Sequence, residues 1–425
     1  WWAFHAQEGD FTTSGLNLIR QAGGTLAGPD VPYGDEKWLK THGCRHGVYG
    51  WSGVMFPFAH LYNVQRGKSE RVWFADWKLK SGDGLHLRLT VPSAEGVEVN
   101  ICDGTSPAGG KPYEMKWIML HNKGTRPAKT QVVSLIEPYR NEPIIRAARP
   151  LKLSGGDEAG FAAAACTLQL ADRTDTILAS ADATQERTAE GGLTFAGRFG
   201  FYSEKDGEPL AMSLVGGTRL TKGKFGIRLE TPEYRAKIIR VDRATETITV
   251  SPAPPKPAAL VGAYVFITNP VRRSAHKVLE ARAVTDGAEL RLDLDSRIGT
   301  GLVTGVEDHK VKTSTPFVLQ GFRYYHGARL VNAGRTAEYR LTEVASAQAA
   351  QIDKEAHPDA KADRLRKEFA AGTWFDIYDY GVGDELVWPC AASLTRVAQG
   401  VYRLVSPLPA KLALPAGIKV ETKHN

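Results

Sequence analysis

The stretch that decides the fold is Leu85-His86-Leu87-Arg88-Leu89-Thr90-Val91, in which apolar and polar residues alternate strictly. Successive side chains of a β-strand point to opposite faces, so this alternation predicts a strand with one buried face. Residues 289–294, Glu-Leu-Arg-Leu-Asp-Leu, repeat the pattern. Both stretches therefore predict sheets that bury one face and leave the other polar.

Similar strand-like runs recur along most of the chain and are separated by turn sequences. They include residues 72–79, 97–102, 116–120, 131–136, 237–241, 247–250 and 263–267, with further runs after residue 374. Gly-Asp-Gly at 82–84 and Asp-Gly at 103–104, 206–207 and 286–287 suit tight hairpins, because glycine adopts positive φ at little cost. The sequence predicts an all-β protein, a layered antiparallel β-sandwich of the super-sandwich type.

One segment departs from this pattern and predicts a short helical insertion near 345–371. It is rich in Ala, Glu, Lys, Arg and Gln, Leu365 and Phe369 have helical spacing, and Gly372 lies where a C-cap would fall. Pro358 interrupts the segment, so we expect two short helices or one that begins near Asp359. Three regions follow: a β-sandwich region at 1–153, a second β-rich region at 154–343, and this helical segment with a small β domain at 344–425.

Composition and charge exclude several classes of protein. The 425 residues carry 54 basic and 47 acidic side chains, a net charge of +7 without any long Lys/Arg run, so no nucleic-acid partner is predicted. No apolar run is long enough for a membrane span. The sequence contains no nucleophile elbow, P-loop or dinucleotide-binding fingerprint in the required context. The mild positive charge is compatible with an acidic polysaccharide as partner.

A first group of candidate site residues lies at 42–46. His42, Cys44 and His46 occupy alternate positions, so an extended backbone would place all three on one face, where they could bind a metal ion. His42 and His46 are the metal-ligand candidates, and Arg45 and His46 are substrate-binding candidates. The neighbouring glycines favour the alternative of a loop with ordinary polar histidines.

A second group combines acid, base and cation in consecutive residues. Arg323, Tyr324, Tyr325 and His326 place a guanidinium, two phenols and an imidazole together. Polysaccharide β-elimination needs such groups to stabilise the uronate carboxylate, remove the C5 proton and protonate the leaving oxygen. Arg323, Tyr325 and His326 are therefore catalytic candidates, and Tyr325 and His326 also substrate-binding candidates. The alternative is an ordinary strand with one tyrosine in the core and one outside.

Aromatic residues are concentrated near the start of the chain. Six of the nine tryptophans fall in the first 80 residues: Trp1, Trp2, Trp38, Trp51, Trp73 and Trp77. Aromatic side chains at this density can line a carbohydrate-binding cleft, and they are also common in the cores of large sandwiches. Both interpretations stay open from the sequence.

Several segments taken in order resemble a known family. They are residues 1–9, residues 24–33, Glu114-Met115-Lys116-Trp117 and, above all, Ser134-Leu135-Ile136-Glu137-Pro138-Tyr139. Together they resemble the C-terminal β-sheet region of heparinase II/III-like proteins, closely over about residues 1–155 and more loosely to the end of the chain. Members of that family are polysaccharide lyases in which an N-terminal helical toroid precedes a layered antiparallel β-sandwich.

The resemblance implies a division of labour within a longer protein. In the family, the toroid supplies the Asn/His and Tyr of the catalytic centre, and a His-rich segment early in the sheet domain supplies another catalytic His and a metal ligand. Because the chain begins at Trp1, we expect it to be a fragment that lacks both. His5 corresponds to a structural position of a core strand, so no catalytic residue is transferred from the family.

The leading hypothesis is that this is the β-sandwich portion of a lyase that cleaves uronate-containing polysaccharides, inactive without its toroid, in the periplasm or outside the cell. A rival is a non-catalytic carbohydrate-binding or structural module, since fold does not fix function. A third is a self-contained enzyme that uses Arg323, Tyr325 and His326. The residues predict no cofactor; the resemblance allows a structural divalent metal such as zinc.

Overall fold

A computed structural model describes residues 1–7, 9–43, 45–47, 50–52, 58–80, 82–93, 96–105, 114–124, 130–155, 162–293, 296–314, 324–342 and 348–423. For residues 7, 45–47, 50–52, 93 and 423 only the backbone is described. About 58% of the described residues are in strands and 5% in helices, and the strands form several antiparallel sheets. The prediction of an all-β sandwich is confirmed.

The chain divides into two compact units. Unit 1 comprises residues 1–212 and 220–225, and unit 2 comprises residues 213–219 and 226–425. The strand Glu208–Lys222 contributes residues to both units. The three regions expected from the sequence, with boundaries near 153 and 343, stay a prediction.

Unit 1 is built from three main sheets. A five-stranded sheet has the order β1-β10-β9-β6-β3, a four-stranded sheet the order β11-β8-β7-β2, and strands β12, β14, β15 and β17 pair in that order, with β16 between β13 and β17. The strands are β1 (Trp2–Gln7), β2 (Gly9–Ser14), β3 (Ile19–Arg20), β4 (Arg45–Gly47), β5 (Gly50–Ser52), β6 (Tyr62–Lys68), β7 (Trp73–Leu79), β8 (Leu85–Ser93), β9 (Glu98–Thr105), β10 (Glu114–His121), β11 (Val133–Arg140), β12 (Ala147–Pro150), β13 (Leu153–Ser154), β14 (Ala163–Gln169), β15 (Thr174–Ser180), β16 (Arg187–Ala189), β17 (Leu193–Lys205) and β18 (Glu208–Lys222).

The core of unit 1 follows from the alternation in β8. Leu87, Leu89 and Val91 pack into a cluster that also contains Trp73 and Trp77 of β7 and the apolar residues of β9 and β10. The other face of β8 carries His86, Arg88 and Thr90. Burying a leucine side chain contributes about 1.5–3 kcal/mol, so the alternation is enough to orient the strand.

The turn that leads into β8 requires glycine. Gly84 has φ +63°, and a Cβ placed there would lie 2.0 Å from Asn141 Oδ1. The Asn141 amide donates to the Gly84 carbonyl at 2.8 Å, which joins this turn to the end of β11. The predicted Gly-Asp-Gly hairpin is thus observed, and it aligns β7, β8 and β11 at one end of their sheet.

Unit 2 contains a closed barrel and a second sheet. The barrel has the order β20-β21-β24-β23-β22-β31, and the six-stranded sheet the order β28-β27-β30-β25-β26-β29. The strands are β19 (Phe225–Leu229), β20 (Glu233–Asp242), β21 (Thr247–Ser251), β22 (Tyr264–Thr268), β23 (Arg273–Val284), β24 (Gly287–Leu292), β25 (Arg297–Glu307), β26 (Lys310–Thr313), β27 (Arg329–Asn332), β28 (Glu338–Arg340), β29 (Ala349–Gln351), β30 (Trp374–Tyr378), β31 (Glu385–Pro389), β32 (Ala391–Ala398), β33 (Val401–Val405), β34 (Ala410–Ala413) and β35 (Lys419–Lys423).

Helices are short in the described part of the chain. They are α1 (Glu36–Thr41), α2 (Ala362–Glu368) and two 3-10 turns, Phe58–His60 and Pro257–Leu260. The predicted insertion contains α2, which ends four residues before Gly372, and its first part instead forms β29 because Ala349–Gln351 pairs with β26. Helix α1 was not predicted. No helix of the described residues has the length and apolar character needed to cross a membrane.

The contrast between Leu89 and Ile136 tests this fold. The two residues are register partners on β8 and β11, yet Leu89 is 0% exposed and Ile136 is 58% exposed. We expect Leu89→Ala to lower the free energy of unfolding by about 2–5 kcal/mol, because it leaves a cavity in the core. Ile136→Ala should change it by less than about 0.5 kcal/mol. Urea unfolding followed by circular dichroism measures both losses, and equal losses would contradict the difference in burial between these two side chains.

Candidate functional site

The first group of predicted residues lies just after α1. Helix α1 begins after Asp35, whose carboxylate caps it by accepting the Trp38 amide at 2.6 Å. The His42 ring is exposed, stacks on Trp38 with 4.0 Å between ring centroids, and has Nδ1 2.8 Å from the Trp38 carbonyl oxygen. Its Nδ1 is thus engaged with the backbone.

The rest of that group is only partly described. Arg45 and His46 lie in β4, which pairs with β5, and their side chains fall outside the described part, as does all of Cys44. Among the residues that the structure describes, no group of three or more His, Cys, Asp or Glu side chains could hold a metal ion. The metal hypothesis for His42 and His46 stays a prediction from the sequence.

The second group is divided between core and surface. Tyr325 is buried in the core of the six-stranded sheet, and burial raises the pKa of its phenol. Tyr324 is 49% exposed, its ring meets Tyr325 edge-on, and Arg272 lies over it at 5.7 Å. His326 is half-buried. Arg323 lies outside the described residues, so the predicted catalytic set of Arg323, Tyr325 and His326 stays a prediction.

A different acid-base cluster lies on the polar face of the four-stranded sheet of unit 1. It consists of Asp76 on β7, His86 and Arg88 on β8, and Tyr139 on β11, and is called here the Asp76 cluster. Register explains the grouping: Asp76 lies opposite Arg88, and His86 lies opposite Tyr139. Because alternation sends Leu87 and Leu89 into the core, the residues beside them must meet on this face.

Asp76 is the centre of this cluster. Its Oδ1 accepts from His86 Nδ1 at 2.6 Å, and its Oδ2 accepts from Arg88 Nε at 2.7 Å and from the Tyr139 hydroxyl at 2.6 Å. Arg88 also donates to the Tyr139 oxygen at 3.1 Å, and its guanidinium lies 4.2 Å from the centre of the Phe74 ring. The carboxylate is therefore held by three donors from two strands.

The electrostatics follow from this arrangement. Burial would by itself raise the pKa of Asp76, but the hydrogen bonds from His86, Tyr139 and Arg88 outweigh it and bring that pKa below its usual value. Burial, followed by the hydrogen bond to Asp76, raises the pKa of Tyr139 to about 12. At neutral pH the cluster thus contains a carboxylate, a guanidinium and a protonated phenol.

The imidazole is the chemically versatile member. Since an ionised carboxylate only accepts, the 2.6 Å contact assigns the His86 proton to Nδ1 and leaves Nε2 as an acceptor in the neutral ring. The His86 and Arg88 side chains are 19% and 18% exposed, whereas Asp76 and Tyr139 are buried. A ligand at this face would meet an imidazole oriented by a carboxylate, beside a guanidinium.

The described cysteines offer no comparable reactivity. Cys102, Cys166 and Cys390 are free and buried, and burial raises the pKa of Cys102 to about 12 and those of Cys166 and Cys390 to about 11. Thiols that stay protonated at neutral pH are weak nucleophiles. The Asp76 cluster is the stronger candidate for chemistry.

Three members of this cluster lie in two short segments of the sequence, but no local motif marks them as a site. His86 and Arg88 belong to the alternating stretch at 85–91, and Tyr139 ends the Ser134-Leu135-Ile136-Glu137-Pro138-Tyr139 motif. The polar residues at alternate positions of 85–91 were a usable signal. Their convergence on Asp76 depends on strand register.

Comparison of the chain with protein-family models, curated proteins and solved structures found no match.

Replacing Asp76 should reveal how strongly the cluster is coupled to folding. We expect Asp76→Asn to destabilise unit 1 by about 3–5 kcal/mol at pH 7, because Arg88 loses its counterion in a mostly buried site. The pKa of Asp76 is lower in the folded protein than in the unfolded chain. The ionised carboxylate therefore stabilises the fold at pH values above the unfolded-state pKa, and this stabilisation is lost as pH falls through the folded-state pKa. The difference in free energy of unfolding between the wild type and Asp76→Asn should therefore decrease from pH 5 towards pH 2.

Urea unfolding at several pH values measures this gap. Asp308→Asn is the matched control, because Asp308 also pairs with a histidine, His309, at 2.8 Å but is 57% exposed. That variant should lose little stability at any pH, because solvent screens the charge of an exposed carboxylate. A gap for Asp76→Asn that stays constant across the pH range would show that the ionised carboxylate is not what stabilises the cluster.

Proposed function

We propose that this chain is the β-sandwich portion of a heparinase II/III-like polysaccharide lyase, and that the Asp76 cluster is where unit 1 contacts an acidic polysaccharide. The observation that carries the proposal is the meeting of imidazole, guanidinium and phenol around one carboxylate. These groups suit recognition of uronates, and one of them, Tyr139, belongs to the segment that most resembles the family.

The proposed contact uses the two partly exposed members, His86 and Arg88. A guanidinium has five N–H donors, and Arg88 uses Nε–H on Asp76 and one N–H on Tyr139, so further donors can meet a carboxylate or hydroxyl of a sugar. His86 Nε2 can accept from a sugar hydroxyl. Asp76 and Tyr139 act through these two residues, as positioning residues that fix the ring and the guanidinium.

The chemical step of such a lyase needs more than this cluster. In β-elimination a base removes the C5 proton of the uronate, the C4–O bond breaks, the leaving oxygen is protonated, and a C4–C5 double bond forms. Since Asp76 neutralises much of the Arg88 charge, we propose that the toroid of a longer protein supplies the base and acid while unit 1 holds the chain. The periplasm or the extracellular space is the proposed location.

Binding by the chain is the first test. We expect uronate oligosaccharides to bind with millimolar affinity, roughly −4 kcal/mol, and to perturb the His86 ring signals in NMR spectra. Binding should weaken between about 0.05 and 0.5 M salt, because screening shortens the reach of Arg88. His86→Gln should abolish the binding of uronate oligosaccharides. His309→Gln, which changes a similar Asp-paired histidine in unit 2, should leave that binding unchanged. Equal binding of a neutral glucan would contradict the proposal.

Catalysis is the second test. The chain alone should release no unsaturated uronate from heparin, heparan sulfate or alginate, as followed by the ultraviolet absorbance of the new double bond. A longer protein with the helical toroid should release it, and His86→Gln in that protein should raise KM more than it lowers kcat, as expected for a binding contact. Activity of the isolated chain would show that the toroid is not required.

A non-catalytic carbohydrate-binding module is the second candidate, and a separate feature of unit 1 favours it. Five rings form a row through successive contacts, with centroid distances of 3.8, 4.7, 6.4 and 4.0 Å. In order they are His121, Trp1, Phe58, Trp38 and His42. Trp1 is 52% exposed, and exposed rings can stack on sugar faces.

The two candidates differ in what binding requires. Stacking on this aromatic row should bind neutral and acidic glucans alike, with little salt dependence, and Trp38→Ala should weaken it. Trp374→Ala is the matched control, since Trp374 of unit 2 is 55% exposed. Loss of glucan binding in Trp38→Ala but not in His86→Gln would favour the binding module over the lyase.

A further inference from the structure

A small cavity lies in unit 1 beside strand β16. It has a volume of about 150 Å³, and Arg187, the first residue of β16, lines it. Most of the other lining residues are aliphatic, among them Val133, Leu151, Leu153 and the three alanines at 163–165. An engineered protein cavity of about this volume holds one benzene molecule, so the space suits a ligand of similar size.

Arg187 brings a positive charge to this cavity. It is only 3% exposed, and among the described residues it forms no salt bridge with an aspartate or glutamate. The Asp182 carboxylate accepts the amide and hydroxyl of Thr184, and Asp182 offers Arg187 only its backbone carbonyl. Arg329, at 8% exposed, is by contrast paired with Asp384. Because a buried charge without a counterion is costly, the Arg187 guanidinium favours an anion in the cavity.

The protein engages one side of this guanidinium and leaves the other side unused. Arg187 Nη1 donates to Ser180 Oγ at 3.0 Å, and also to the carbonyls of Asp182 and Gln185 at 3.2 and 3.1 Å. Nε and Nη2 have no acceptor among the described residues. These two nitrogens form the edge of a guanidinium that presents two parallel N–H groups. Ser180 is the register partner of Ala163, which lines the cavity, so the guanidinium lies at the cavity wall.

Other arginines of the chain show what this edge binds. In unit 2, Arg340 places both Nε and Nη2 2.9 Å from Asp353 Oδ2. Arg272 donates to Asp379 Oδ1 through the same two nitrogens. In both cases the acceptor is a carboxylate. At Arg187 no described side chain supplies one, so that position is open to the carboxylate of a ligand.

We propose that this cavity binds a small organic acid, with its carboxylate on Nε and Nη2 of Arg187 and a short aliphatic tail against the aliphatic lining. One guanidinium balances one negative charge, whereas phosphate carries more than one at neutral pH and would leave a buried charge uncompensated. The inference goes beyond the proposed function, because it uses no residue of the Asp76 cluster and no polysaccharide.

The test is a titration of the whole chain with butyrate, followed through the Nε–H signal of Arg187 in NMR spectra. Butyramide, which has the same shape but no charge, and inorganic phosphate are the comparisons. We expect butyrate to shift this signal with a dissociation constant of roughly 1 mM, and the other two compounds to leave it unchanged. No shift with butyrate, or an equal shift with butyramide or phosphate, would overturn the proposal.

A pair of variants then separates binding from support of the loop at 181–186. Arg187→Lys retains the positive charge but lacks the paired N–H edge, so it should weaken butyrate binding at least about tenfold, as followed through the amide signals of residues 163–165. Arg198→Lys is the matched control, because Arg198 is exposed and donates to the Ala181 carbonyl of the same loop without lining the cavity. It should bind butyrate as the wild type does.

The outcomes are distinct from those expected for the Asp76 cluster. His86→Gln should leave butyrate binding unchanged, so a failure of the proposed function is distinguishable from a failure of this inference. Undiminished binding in Arg187→Lys, or an equal loss in Arg198→Lys, would contradict the assignment of the carboxylate to Arg187. The wild-type titration decides the proposal even where circular dichroism shows that Arg187→Lys does not fold.

Discussion

The pleat of strand β8 is the constraint on which unit 1 depends. Because Leu87, Leu89 and Val91 pack in the core, the side chains of His86 and Arg88 must lie on the opposite face of the sheet. A slip of one residue would place an imidazole and a guanidinium among Trp73 and Trp77, where neither charge could be compensated. The same alternation that buries the apolar side chains therefore creates the polar face that carries the candidate site.

Asp76 fixes the positions of the side chains on this polar face. A carboxylate that is only 4% exposed needs partners, and it finds them on β8 and β11 rather than on its own strand. Its hydrogen bonds therefore tie three strands into one register. They also determine which nitrogen of His86 carries the proton. Structural stability and the chemical state of the imidazole come from the same contacts, so a change in one alters the other.

Local patterns of the sequence predicted much of the fold but little of the site. Alternation predicted β8, and Gly84 predicted the turn before it, because both depend on near neighbours. The Asp76 cluster depends on Tyr139, which lies 63 positions beyond Asp76 along the chain. Its side chain reaches Asp76 only through the pairing of β11 with β8. Tyr325 shows the same limit: the sequence places Tyr324 and Tyr325 side by side, but the turn at 324–327 buries the ring of Tyr325 and exposes that of Tyr324.

The two candidate surfaces of unit 1 offer different contacts to a ligand. In the Asp76 cluster the carboxylate compensates the guanidinium, so the cluster offers an oriented imidazole and the remaining N–H donors of Arg88. The row of rings from His121 to His42 offers ring faces instead, and Trp1 at its end is 52% exposed. Ring faces stack on sugars of either charge, whereas directed hydrogen bonds distinguish one sugar from another. The proposal of an acidic ligand therefore depends on the Asp76 cluster, and the proposal of a general carbohydrate-binding module depends on the rings.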